Sequence, residues 1–182
     1  MRARAAFITS SIVWLALTPL VAAAQDALPA AGAPCADAVH RQFDFWIGEW
    51  EVRAADGTLL GHNSITSIHG GCALAERWRG ASGGTGSSLN AYDASADRWR
   101  QMWIGSDGTL LELEGRLEPD GIVLTGSTRR ADGRAVLHRI TWTPVAGRAV
   151  RQLWEVSLDE GRSWRSSFDG TYRMTSGGAN RR

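Results

Sequence analysis

The feature that most constrains this chain is a punctuated rhythm. From Glu49 onward the residues alternate with period two, and turn signals recur along the rest of the chain. Asp56-Gly57, Gly70-Gly71, Gly83-Gly84, Asp107-Gly108, Asp120-Gly121, Asp132-Gly133 and Gly161 supply them. Asp-Gly between alternating runs signals a hairpin, because glycine accepts the positive φ of a tight turn. The rhythm predicts strands at roughly 49–55, 59–69, 72–80, 87–93, 98–104, 109–117, 121–130, 134–144, 149–157 and 163–174. No connection is long enough for a helical crossover, so neighbours should pair antiparallel. A meander this long with one apolar face closes on itself, because closure removes exposed edges. The expected fold is all-β: an antiparallel up-and-down β-barrel of about ten strands. Asp37 to Phe45 reads as a short helix closing one end, with Asp37 as its N-cap.

The chain before the barrel has a different character. Arg2 and Arg4 precede an apolar run from Phe7 to Val21, and Ala22-Ala23-Ala24 offers the small residues that a signal peptidase reads. The run is interrupted by Thr9, Ser10, Ser11, Thr18 and Pro19 and is too short to span a bilayer, which needs about 20 apolar residues. The expected organisation is a signal peptide over 1–24, a flexible leader and short helix over 25–40, the barrel over 41–175 and a disordered tail over 176–182. Export to the periplasm or the medium follows, with no membrane span after cleavage. Both cysteines, Cys35 and Cys72, lie in the exported part and read as one disulfide. The closed loop of about 37 residues is worth roughly 3–4 kcal/mol in the chain-entropy model. Basic and acidic residues nearly balance, 20 against 19, and every basic one is Arg. That balance, without a basic block, argues against nucleic acid and anionic membrane surfaces as partners.

Alternation also assigns faces. Leu74, Glu76 and Trp78 share one side of the third predicted strand, and Trp99, Gln101 and Trp103 one side of the fifth. Val136, His138, Ile140 and Trp142 share a face of the eighth; Val150, Gln152, Trp154 and Val156 share one of the ninth. Glu76, Gln101, His138 and Gln152 are thus polar groups on apolar faces, the usual make-up of a small-molecule pocket. With Trp78, Trp103, Trp142 and Trp154 they form the candidate ligand-binding set. Each also reads as a hydrogen-bonded core residue or as one near a barrel mouth in water, and the Trp side chains as core filling. A carboxylate between Leu and Trp is costly to bury unpaired, so Glu76 calls for an Arg, a proton or a ligand donor.

Several segments carry a resemblance: Phe43 to Trp50, Gly71 to Trp78, Leu89 to Asp93, Trp99 to Trp103, Thr141 to Pro144, Arg151 to Glu155 and Phe168 to Tyr172. Together they resemble a family of secreted bacterial lipocalin-like (calycin) β-barrel proteins with no established catalytic residues. The resemblance implies a barrel and an export route, and no activity. It also implies that Gly48 and Trp50, with Trp46 beside them, close one end of the barrel, and that Arg173 packs over Trp50.

The sequence lacks His-Glu-x-x-His, and its Gly/Ser-rich stretch from Gly80 to Ser88 lacks the Lys and the helix of a phosphate-cradling loop and reads as a loop at the barrel rim. Its four His are not spaced as a metal set, and no His follows His138, which disfavours haem; no cofactor is expected. The leading expectation is non-catalytic binding of a small, mostly apolar molecule in the barrel interior. One rival is an isomerase- or cyclase-type enzyme using Glu76 and His138 as an acid–base pair. The other is a structural or interaction module whose barrel is filled by its own side chains.

Overall fold

A computed structural model describes residues 34–175. The proposed signal peptide, most of the leader and the 176–182 tail lie outside the described residues. Ten antiparallel strands form one closed barrel: β1 (Gly48–Arg53), β2 (Leu59–Ile68), β3 (Ala73–Gly80), β4 (Thr85–Asp93), β5 (Arg98–Gly105), β6 (Leu110–Glu118), β7 (Gly121–Arg129), β8 (Ala135–Val145), β9 (Ala149–Ser157) and β10 (Arg165–Met174). Each strand pairs with its successor, and β10 returns to β1 with Tyr172 opposite Val52 and Met174 opposite Trp50. Among the described residues no helix is long and apolar enough to cross a membrane.

The Asp-Gly turns work as their chemistry requires. At the β5–β6 connection Asp107 Oδ1 accepts from the Thr109 N–H at 3.0 Å, and Gly108 takes a φ of 83°. The Gly108 N–H returns to the Gly105 carbonyl while Gly105 N–H bonds Thr109. This is a tight turn followed by a left-handed glycine that only a residue without Cβ adopts cheaply. The same bonds recur around Asp56-Gly57 and Asp132-Gly133.

Because the chain runs up and down, the barrel has two distinct ends. The base is where the chain enters β1. It holds a buried aromatic cluster of Phe43, Trp46, Trp50, Trp99, Trp142 and Tyr172. Phe43 stacks on Trp46 at 5.1 Å between ring centroids and meets Trp99 and Trp142 edge-on. The Trp50 indole donates to the Trp46 carbonyl at 2.9 Å, and Gly48 lies so close to that indole that a Cβ would sit 3.2 Å from it. The segment crossing the base is tied down three times. Cys35 is disulfide-bonded to Cys72, Arg41 donates to the Gly71 carbonyl, and Gln42 accepts from the Trp99 indole at 3.1 Å.

Three expectations need correction. Residues 37–45 do not form one helix; they are successive turns ending in a 3₁₀ turn, Asp44–Trp46. Their backbone bonds run from each N–H to the carbonyl three residues back, which lets the aromatics of so short a stretch reach the barrel. Arg173 does not pack over Trp50. It stands opposite Glu51 on the outer face and is exposed, because Tyr172 takes the inward position and alternation sends its neighbour out. Trp164 precedes β10 rather than lying in it, with the Arg139 guanidinium 4.2 Å above its ring.

Candidate functional site

At the opposite end, the mouth, inward side chains leave space. Trp78 near the end of β3, Trp103 near the end of β5, Trp154 on β9 and Phe168 on β10 stand around a partly open cavity of about 130 Å³. Leu111 and Ile140 complete its apolar wall, while Glu76, Gln101, Gln152 and Tyr172 supply the polar lining. The indoles lie flat on neighbouring strands because glycine faces them: a Cβ on Gly61 would come 2.7 Å from Trp78, and one on Gly86 2.2 Å from Trp103. A larger hollow of about 850 Å³ is lined by outward side chains such as Met102, Glu112, Glu114 and Ser127, together with Gln101, Leu113 and His138.

The polar lining belongs to one hydrogen-bonded belt. Gln101 Nε2 donates to Asn90 Oδ1 at 2.8 Å, Asn90 Nδ2 to Ser88 Oγ at 2.9 Å, and the Ser88 hydroxyl to Glu76 Oε2 at 2.6 Å. From the other side Asn63 Nδ2 donates to Glu76 Oε1 at 2.7 Å. Beyond Asn63 the Tyr172 hydroxyl donates to Gln152 Oε1. The donors therefore converge on the Glu76 carboxylate. None of the ion pairs among the described residues includes Glu76. Two neutral donors do not offset the burial of the carboxylate, and desolvation raises the Glu76 pKa from 4.5 to about 7. Burial, with the Glu76 charge nearby, also pushes the Tyr172 phenol well above its ordinary value.

His138 stands apart from this belt. Its Nδ1 accepts the Trp154 indole N–H at 3.2 Å, and its Nε2 lies 2.8 Å from Thr128 Oγ1. An indole can only donate, so Nδ1 carries no proton and the proton sits on Nε2. Burial lowers the imidazole pKa, in keeping with a neutral ring. His138 does not line the cavity, although Trp154, its partner, does.

The structure thus gathers Glu76, Trp78, Gln101, Trp103, Gln152 and Trp154 around one cavity. It leaves out His138 and sends Trp142 to the base cluster. Sequence reasoning missed Asn63, Ser88, Asn90 and Tyr172 in the belt, and Leu111, Ile140 and Phe168 in the wall. On β4 the apolar residue Leu89 is half exposed while Ser88 and Asn90 are buried, the reverse of the face that hydrophobicity selects. Of the three partners expected for Glu76, no Arg pairs with it; its hydrogen-bond partners are the Asn63 amide and the Ser88 hydroxyl, and its raised pKa accords with a protonated form. Asn63 is reachable because Glu76 pairs with Ile65, which places Asn63 on the diagonal of the same face.

No family model matches the chain, and no curated protein matches it.

Proposed function

We propose that this is an exported, lipocalin-like barrel that binds a small, mostly apolar molecule in the mouth-side cavity without transforming it. The observation carrying this reading is the cavity itself: enclosed aromatic walls, a partly open mouth and a polar belt converging on one carboxylate. Its size favours a ligand with one ring or a short branched chain inside, since pockets for drug-sized molecules run from about 300 Å³ upward. A barrel filled by its own side chains would leave no such space, which weighs against a purely structural module. The acid–base reading draws no support from His138, which does not line this cavity and whose two ring nitrogens are engaged by Thr128 and Trp154. Export rests on the N-terminal sequence pattern, with the Cys35–Cys72 disulfide as a compatible feature. The periplasm or the medium is the proposed location.

Native mass spectrometry of protein isolated from its own host tests the proposal. The expected spectrum shows an adduct of small mass that disappears on denaturation. Bare protein alone, with no thermal stabilisation by a panel of single-ring compounds, would refute it.

A further inference from the structure

Resting on that reading, we infer that the cavity takes a small organic cation, an amine whose ammonium group meets Glu76 while its apolar body lies among Trp78, Trp103, Trp154 and Phe168. Three observations converge on this ligand class. Glu76 lines the cavity and is buried with no Arg beside it, its partners being the Asn63 amide and the Ser88 hydroxyl. A carboxylate offers about four lone-pair sites, so these two donors leave room for an ammonium. The walls are the second observation. Three indoles and a phenyl ring surround the space, and Trp78 meets Phe168 edge-on at 5.9 Å. Aromatic faces attract a desolvated cation, Trp most strongly. The third is the balance of hydrogen-bonding groups around the acid. The donors of the belt already point at Glu76, and Asn63 Oδ1 beside it is a buried acceptor without a partner. What this end of the cavity lacks is a donor, preferably a charged one. An anion would meet the carboxylate head-on, and a neutral apolar molecule would leave it unpaired out of water.

The test compares three probes of one size: benzylammonium, benzyl alcohol and benzoate. Binding to the full protein is followed by Trp fluorescence and calorimetry at pH 8, where Glu76 is ionised. Benzylammonium should bind at least tenfold more tightly than benzyl alcohol, and benzoate most weakly. Glu76→Gln should abolish the preference while keeping benzyl alcohol binding. Trp103→Leu should weaken benzylammonium more than the alcohol.

Should Glu76→Gln not fold, lowering the pH to 6 protonates Glu76 in the parent and should collapse the same preference. The groups facing Glu76 from its neighbours are Asn63 on β2, Ser88 on β4 and Tyr172 on β10. Of these only Tyr172 titrates, and it stays neutral at both pH values. His138, on β8, is outside the belt.

Equal or tighter binding of the alcohol or of benzoate at pH 8 would overturn the cation inference and leave interior binding standing. An ammonium preference that survives both Glu76→Gln and pH 6 would overturn the role of Glu76. Failure of all three probes to bind at millimolar concentration would overturn both readings.

Discussion

Replacing Glu76 with Gln should stabilise the protein at pH 8 and leave it almost unchanged at pH 4. Burial raises the Glu76 pKa in the fold to about 7, against 4.5 for the freely hydrated group. Between those values the folded chain binds more protons than the unfolded one, so this group's contribution to stability falls as pH rises through the window. One pKa unit corresponds to about 1.4 kcal/mol. The full gap is therefore a penalty of roughly 3 kcal/mol, complete above pH 7 and absent below pH 4.5.

Glutamine keeps the shape and removes the charge. Its oxygen can accept from Ser88, and its amide nitrogen faces Asn63. Turning the Asn63 amide over lets Oδ1, which has no partner in the parent, accept from that nitrogen. The turn forfeits the long 3.4 Å contact from Asn63 to Tyr172 and carries Nδ2 to the buried side where Oδ1 had no partner, which takes back part of the gain. A gain of about 1–3 kcal/mol at pH 8 is expected. Each kcal/mol raises Tm by about 2–4 °C in a chain of this size. Denaturant unfolding of both proteins at pH 4, 6 and 8 measures it, read as the difference between them. Asp93 and Asp159, each lowered to about 2 by their hydrogen-bond partners, shape the pH profile of both proteins alike. A variant less stable than the parent at pH 8 would mean that a cation pairs with Glu76 in the fold. Parallel profiles would mean that Glu76 ionises in the fold as it does in water.

The base and the wall yield three further expectations. Trp50→Ala, removing a side chain only 2% exposed, should cost about 3–5 kcal/mol, and an unchanged denaturation midpoint would contradict its place in the buried cluster. Reducing the Cys35–Cys72 bond, which closes a separation of 37 residues, should cost roughly 3–4 kcal/mol; an equal midpoint with and without reductant would show that the base segment needs no tether. Gly86→Ala places a Cβ 2.2 Å from the Trp103 ring and should push that indole into the cavity. Single-ring probes should then bind at least tenfold more weakly in a calorimetric titration, and unaltered affinity would place the ligand elsewhere.

The strands were legible because turn chemistry is local. Gly105, Asp107, Gly108 and Thr109 make these bonds to one another whatever the rest of the chain does. The inward faces of β3, β5 and β9 were legible because their Trp residues out-vote the single polar residue between them. On β4 the signal inverts, since Leu89 lies outside and Ser88 and Asn90 inside. Only register explains that inversion: Ser88 pairs with Glu76, and Asn90 with Gln101. The belt therefore depends on contacts between strands far apart in sequence, such as Asn63 with Tyr172, and no single strand encodes it. His138 illustrates the converse. Its inward face was readable, but its two partners come from β7 and β9, and the Trp154 indole lines the cavity where His138 does not.

The polar belt also bears on why the barrel carries an interior acid at all. Filling the same volume with aliphatic side chains would remove a desolvation cost of roughly 3 kcal/mol at neutral pH. The base shows that this chain can pack such an interior, since Phe43, Trp46 and Trp142 are almost wholly buried there. The contrast between the ends lies in Glu76 and in the glycines, Gly61 and Gly86, that hold the indoles of Trp78 and Trp103 back from the axis. A ligand that binds only the folded chain contributes about 2.7 kcal/mol when present at a hundredfold its Kd. That is the size of the Glu76 penalty, so an occupied cavity offsets the cost of the acid that lines it. An empty barrel at neutral pH bears that cost in full. On the proposed reading, the acid belongs to a binding site and not to the core.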